Sequence, residues 1–156
     1  MSPGAIVSAR DFTDHAEPHI QTMLRLARRL GQGEAEDIVQ DSLARAWSKR
    51  NQYRPERGTF RSWLLAITAD QAYKTWRRRR RHDRLVPPKN PEPQRDEVLD
   101  LEQSLRRLPA RQRLAIDCYY FAGLSVGETA EVMWCSEGTV KSTLSSARAA
   151  LKHLLR

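Results

Sequence analysis

Cysteine is scarce in this sequence and forms no pattern. Cys118 and Cys135 are the only two among 156 residues, with no CxxC pair and no metal-ligand spacing. That argues against a disulfide scaffold or a zinc module and fits a reduced, cytoplasmic setting. Long apolar runs are also missing. None approaches the ~18 residues that a membrane span needs, so no membrane insertion is expected. The first residues, MSPGAIVSARDF, lack the charged start and apolar core of a secretory signal. No stretch alternates apolar and polar residues with period two, which leaves no signature of a β-sheet. Neither H-x-E…C-x-x-C, nor a P-loop, nor a clustered carboxylate site occurs, so an enzyme acting on nucleic acid is not supported. His15 and His19 lie four apart, but Pro18 interrupts that turn and no third ligand is near, so neither metal nor cofactor is expected.

What is abundant is positive charge. Lys and Arg number 27 against 19 Asp and Glu, a net +8, and the pI is ≈ 10.1. Such a balance points to a polyanionic partner, because each cation held near a phosphate releases a counterion. The charge is unevenly spread. Residues 1–81 carry 16 basic and 9 acidic side chains, residues 82–100 carry 3 and 5, and residues 101–156 carry 8 and 5. The acidic middle, HDRLVPPKNPEPQRDEVLD, holds Pro87, Pro88, Pro91 and Pro93. Prolines at that density remove backbone donors and fix an extended chain. The expected organisation is all-α: a basic domain over 10–81, a linker over 82–98 and a second basic domain over 99–156. A loop packed on one domain is the alternative for the middle stretch.

In the first domain Met23, Leu24, Leu26, Ala27 and Leu30 form one helical stripe, stopped by Gly31 and Gly33. Ile38, Val39, Leu43, Ala46 and Trp47 form a second, starting near Glu34. After a loop from Asn51 to Gly58, Thr59 can cap a third helix carrying Phe60, Trp63, Leu64 and Ile67. Trp47 and Trp63 belong to these stripes and read as core rather than as base-stacking platforms. Asp37, Gln40 and Asp41 share one polar face, which suits a basic protein partner, although spacing alone favours a solvated face. Lys74, Arg77, Arg78 and Arg81 follow i, i+3, i+4, i+7 beside Tyr73 and Trp76. Like charges at that spacing repel by a few tenths of a kcal/mol per pair, so the ridge needs another reason to exist. Phosphate neutralisation is one; a nuclear-type address or a membrane-surface patch is the alternative.

In the second domain Leu101, Leu105 and Leu108 form a stripe ended by Pro109, and residues 110–122 read as the next helix. Ser125 with Glu128 is a capping box that opens a helix through Val132 and Met133. Trp134-Cys135-Ser136 makes a tight turn into a helix buried along Val140, Leu144, Ala147, Leu151 and Leu154. Two helices joined by a brief turn describe a helix-turn-helix. Glu137, Lys141, Ser142, Ser145 and Arg148 fall on the outer side of the second, suited to base edges and phosphates. An αα-hairpin without a DNA role is the alternative. Cys118 and Cys135 read as packing residues, since neither has a cysteine nearby.

Together, EAEDIVQDSLARAW with TFRSWLLAITADQAYKTWRRRRR resembles sigma region 2, and LRRLPARQRLAIDCYYFAGLSVGETAEVMWCSEGTVKSTLSSARAAL resembles sigma region 4. Two such regions alone, spanning about residues 20–155, resemble the extracytoplasmic-function (ECF) subfamily of sigma-70 factors. The resemblance implies a promoter-specificity subunit of bacterial core RNA polymerase, monomeric when free. Asp37, Gln40 and Asp41 match the D-x-x-Q-[ED] face that docks on the clamp helices of the polymerase's largest subunit, which reverses the preference for a solvated face. The loop from Asn51 to Phe60 and the start of the following helix match the part that captures a flipped base of the −10 element, to which Phe60, Asp70, Lys74, Arg77, Arg78 and Arg81 are then assigned. Ser136 to Arg148 match the helix in the −35 major groove. The linker resembles the segment threaded toward the polymerase active site. An anti-sigma factor would suit the exposed polymerase-binding surface.

Two departures stand out. Asp70 occupies a position where the family usually has Asn; a carboxylate accepts but cannot donate, which favours a flipped cytosine or adenine over thymine. Thr143 and Ser146 stand where the family often has arginines, so −35 binding should be weaker and less salt-sensitive. The rival reading is an autonomous helix-turn-helix regulator, normally a dimer on a palindrome; it leaves the first domain unexplained.

Overall fold

The computed structural model describes residues 8–31, 34–83 and 97–155, and every regular element among them is a helix. In the first domain these are α1 (Ala9–Ala16), α2 (Ile20–Gly31), α3 (Ala35–Ser48) and α4 (Phe60–Asp83). The second holds α5 (Glu97–Arg107), α6 (Ala110–Ile116), α7 (Val126–Met133) and α8 (Glu137–Leu154). Most of the proline-rich stretch, 84–96, lies outside the described residues, and so do its two expected roles as linker or packed loop.

Helices α2, α3 and α4 pack mutually. The expected stripes supply the seams: Met23, Leu26 and Ala27 are fully buried, with Ile38, Val39 and Ala46 facing them. On α4 the buried line is Leu64, Leu65, Thr68, Ala69 and Ala72, whereas Phe60, Trp63 and Ile67 lie at its half-buried margin. Buried hydroxyls are satisfied locally: Ser42 donates to the Ile38 carbonyl at 2.6 Å and Thr68 to that of Leu64 at 2.8 Å. Gly31 ends α2 for a steric reason as well, since a Cβ there would collide with the Ile38 side chain. Thr59 caps α4 as expected, accepting from the Ser62 amide at 3.1 Å. Helix α1 was not anticipated. Ser8 caps it by accepting from the Asp11 amide at 3.2 Å, and Phe12 and Ala16 enter the core.

In the second domain Leu105, Leu108, Leu114, Ile116, Leu124, Val132 and Met133 surround the Val140–Leu144–Ala147 side of α8. The capping box forms in both directions: Glu128 N donates to Ser125 Oγ at 3.0 Å and Ser125 N to Glu128 Oε1 at 3.2 Å. Trp134 then adopts a left-handed backbone, φ 56°, and its side chain is 89% exposed. Residues 110–122 are not one uniform α-helix. After Ile116 the chain widens into a π turn, Asp117–Phe121, closed by Gly123 at φ 75°. That turn points Asp117 and Cys118 inward, both fully buried, and leaves Tyr119, Tyr120 and Phe121 at the surface. Burial pushes the Cys118 thiol far above its ordinary range, in keeping with a packing role.

The two domains meet along a defined seam, with α7 against α4 and the π turn against α2. Arg29 reaches across to Glu102 at 2.8 Å and Asp117 at 3.0 Å, with its guanidinium 3.6 Å above the Phe121 ring. Arg61 at the start of α4 pairs with Glu128 of α7. His19 lies beside that pair; burial and then the Arg61 charge lower its pKa below 6.5, against the pull of Glu128. The folded state therefore prefers neutral His19, and an unfolded chain takes up the proton first. Stability is full above pH 6.5 and declines as pH falls through 6.5. Melting temperatures measured from about pH 7.5 to about pH 5.5 should fall for the natural chain and stay flatter for His19→Gln. Parallel slopes would contradict the assignment.

Candidate nucleic-acid interface

The acidic face forms as its spacing suggests. Asp37, Gln40 and Asp41 are all exposed on α3, opposite buried Ile38, Val39 and Ser42. The face is one wall of a cleft of ≈ 570 Å³ whose other wall is Thr75 and Arg78 of α4. The cationic ridge is thus divided in its surroundings: exposed Arg78 borders the acidic face, a neighbour that sequence spacing did not show. Arg77 is exposed. Lys74 is half-buried and pairs with exposed Asp70 at 3.2 Å. The Arg81 side chain lies outside the described residues.

The loop before α4 carries two short 3-10 turns, Arg50–Gln52 and Pro55–Arg57. It is stiffened by Tyr53, whose hydroxyl donates to the Gly58 carbonyl at 3.1 Å. Phe60 is half-buried in an aromatic cluster, its ring 5.5 to 6.0 Å from those of Tyr53, Trp63, Phe12 and His15. These edge and tilted contacts hold the loop to the core. Arg54 and Arg57 remain exposed beside it and Arg61 follows half a turn into α4. These three cations escaped the sequence reading because they span a loop and the start of a helix, where spacing does not define one face. Their one signal is Arg every three or four residues through a turn-rich segment.

On α8, Glu137, Lys141, Ser142, Ser145 and Arg148 are all exposed on one side, with Val140, Leu144 and Ala147 on the other. Ser136 caps the helix by accepting from the Thr139 amide at 3.1 Å. Ser142 donates to the Thr139 carbonyl at 3.1 Å, and Arg148 donates to the Tyr120 hydroxyl at 3.0 Å. The outer face therefore offers exposed Lys141 and a braced Arg148 among short polar side chains. Between this helix-turn-helix and the loop before α4 runs a cleft of ≈ 760 Å³, lined by Tyr53, Arg57, Trp63, Glu131, Trp134 and Glu137 among others. Among the described residues no group of three or more His, Cys, Asp or Glu could hold a metal ion, and no helix is long and apolar enough to cross a membrane.

Comparison with known proteins places both halves. Residues 16–82 match the family Sigma-70 region 2, and residues 99–151 match Sigma-70, region 4. Among curated relatives, the ECF RNA polymerase sigma factor SigM of Mycobacterium tuberculosis is 30% identical over 144 residues, covering 88% of this chain and 73% of the relative. The ECF RNA polymerase sigma factor SigE of Mycolicibacterium smegmatis is 33% identical over 153 residues, covering 88% and 58% respectively. Among solved structures, the sigma factor RpoE bound to the anti-sigma factor NepR from Bartonella quintana aligns with TM-score 0.70 and 27% identity, covering 94% of this chain and 98% of that one. CnrH in complex with the cytosolic domain of CnrY aligns with TM-score 0.73 and 28% identity, covering 97% and 92%. With both regions present in order, and relatives matched over most of their length, this chain belongs to the ECF subfamily of the sigma-70 family and is an RNA polymerase sigma factor.

Proposed function

We propose that this sigma factor docks on core RNA polymerase through Asp37, Gln40 and Asp41. In this reading it contacts the −10 element with the loop before α4 and with Asp70, Lys74, Arg77 and Arg81, and the −35 element with the outer face of α8. The observation that carries this is the pairing of an exposed acidic face in one basic domain with a solvent-open helix-turn-helix in the other. An autonomous regulator would need only the second. The polymerase performs all nucleotide chemistry, and the chain acts in the cytoplasm. An anti-sigma protein suits it as a regulator, as the anti-sigma factor NepR accompanies RpoE. Gel shifts of the chain's own upstream DNA, with and without core enzyme, test this reading. Binding that needs core, followed by run-off transcription, is expected; tight binding without core would favour the autonomous regulator.

The docking face gives the first mutational outcome. Replacing Asp37, Gln40 and Asp41 together by Ala should weaken core binding and leave the melting temperature close to that of the natural chain, because all three side chains are exposed. Unchanged core affinity would remove the assignment.

Among the described side chains of the ridge, Arg77 is exposed and does not border the acidic cleft. Arg77→Ala should lower the salt slope of holoenzyme–promoter binding by roughly one unit without altering promoter choice. A changed promoter choice at an unchanged slope would mean that it reads bases.

Asp70 is bound to Lys74 through one carboxylate oxygen, which leaves the other free to accept from cytosine N4 or adenine N6. Asp70→Asn should relax discrimination at one −10 position by ~1–3 kcal/mol and leave −35 preference untouched. Transcription from templates bearing each base at each −10 position measures this; identical preferences would reduce Asp70 to a surface ion pair.

A further inference from the structure

We propose that Arg61 is an additional phosphate-binding residue of the −10 site, and that in the free chain the α7 carboxylates of Glu128 and Glu131 occupy the place of the promoter strand. The inference rests on the reading of the loop before α4 as the −10 contact. Arg61 opens α4 directly after that loop, and its Nε donates to Glu128 Oε2. Glu131 lies against the same loop: a Cβ built on Gly58 would sit 2.9 Å from its carboxylate. Two carboxylates on successive turns of one short helix therefore face a segment bearing Arg54 and Arg57 in the loop and Arg61 at the start of α4. Carboxylate oxygens and phosphate oxygens make the same kind of charge-assisted hydrogen bond to a guanidinium. The arrangement is an anion site filled from within.

Glu128 is held in place for this. Its Oε1 completes the capping box with Ser125 N at 3.2 Å while its Oε2 faces Arg61. The occupancy cannot persist on a promoter. Elements centred about 25 base pairs apart span roughly 85 Å at 3.4 Å per step. A compact body of this length has a radius of gyration of about 15 Å. With α7 touching the loop before α4, the two DNA-binding surfaces lie too close to serve both elements, so engagement must part them and free Arg61.

Anisotropy of a fluorescein-labelled, mixed-sequence 12-nucleotide single strand on the free chain tests this. Gln at position 128 keeps the capping box, so Glu128→Gln with Glu131→Gln removes the charge and preserves the helix. That double variant should bind the strand several-fold more tightly than the natural chain. Adding Arg61→Ala should return affinity to the natural level or below. A control pair, Glu36→Gln with Asp100→Asn, removes two exposed acids elsewhere and should change affinity less than twofold. Equal tightening in the control, or no reversal by Arg61→Ala, would overturn the proposal. Core-dependent run-off by the natural chain is scored in parallel: its absence would sink the reading of the −10 loop, whereas its presence with an unchanged strand affinity would sink this inference alone.

Discussion

The arrangement of the free chain depends on one guanidinium. Arg29 comes from α2 of the first domain, and its fully buried partner, Asp117, lies 88 residues away in the second. A carboxylate without water needs its counter-charge supplied by the protein. Within its own domain Asp117 has Arg113 at 3.7 Å; Arg29 comes closer, at 3.0 Å, and adds Glu102 and the Phe121 ring. Burial raises the Asp117 carboxyl above its ordinary pKa in spite of both guanidiniums. Withdrawing one partner from such a pair costs more than forming it contributes. The seam is therefore specific in register, and its register decides where α7 meets the loop before α4.

That register sorts the functional surfaces into two groups. The Asp37/Gln40/Asp41 face and the outer side of α8 remain open to solvent in the closed form. The loop before α4 is partly covered, by Glu128, Glu131 and the Trp134 turn. On the proposed assignments, a chain built this way can meet polymerase first and present its −10 contact afterwards. The order follows from which surfaces the seam covers, without any appeal to chemistry in the sigma factor itself. By the same proposal, the closed form would keep a strongly basic loop from binding nucleic acid indiscriminately, which a net charge of +8 favours.

Local signals in the sequence were reliable where physics is local. The Ser125–Glu128 capping box, the Thr59 cap and the buried line of α8 all follow from spacing along one helix, and each is present, although that line is fully buried only through Val140, Leu144 and Ala147, with Leu151 and Leu154 half-buried. Helix α1 was missed because eight residues carry too little period to stand out; its cue was Ser8 three residues before Asp11. The π turn was missed because its cause is tertiary: Asp117 must point inward to meet Arg29, and no run of neighbours encodes that. Likewise Arg78 reads as one more member of a ridge, yet the packing of α4 on α3 sets it beside the acidic face. Family resemblance supplied roles for positions that periodicity only placed. It did not show the seam, because that contact joins residues belonging to different regions.

For both elements to be engaged, the seam must open on the promoter. Spin labels at Ser48→Cys and Lys152→Cys, both exposed sites on opposite domains, in a Cys135→Ser background with Cys118 buried, report the distance directly. Pulsed distance measurements should give one short separation in the free chain and a clearly longer one in the complex with core polymerase and promoter DNA. The same short separation in both states would contradict that opening.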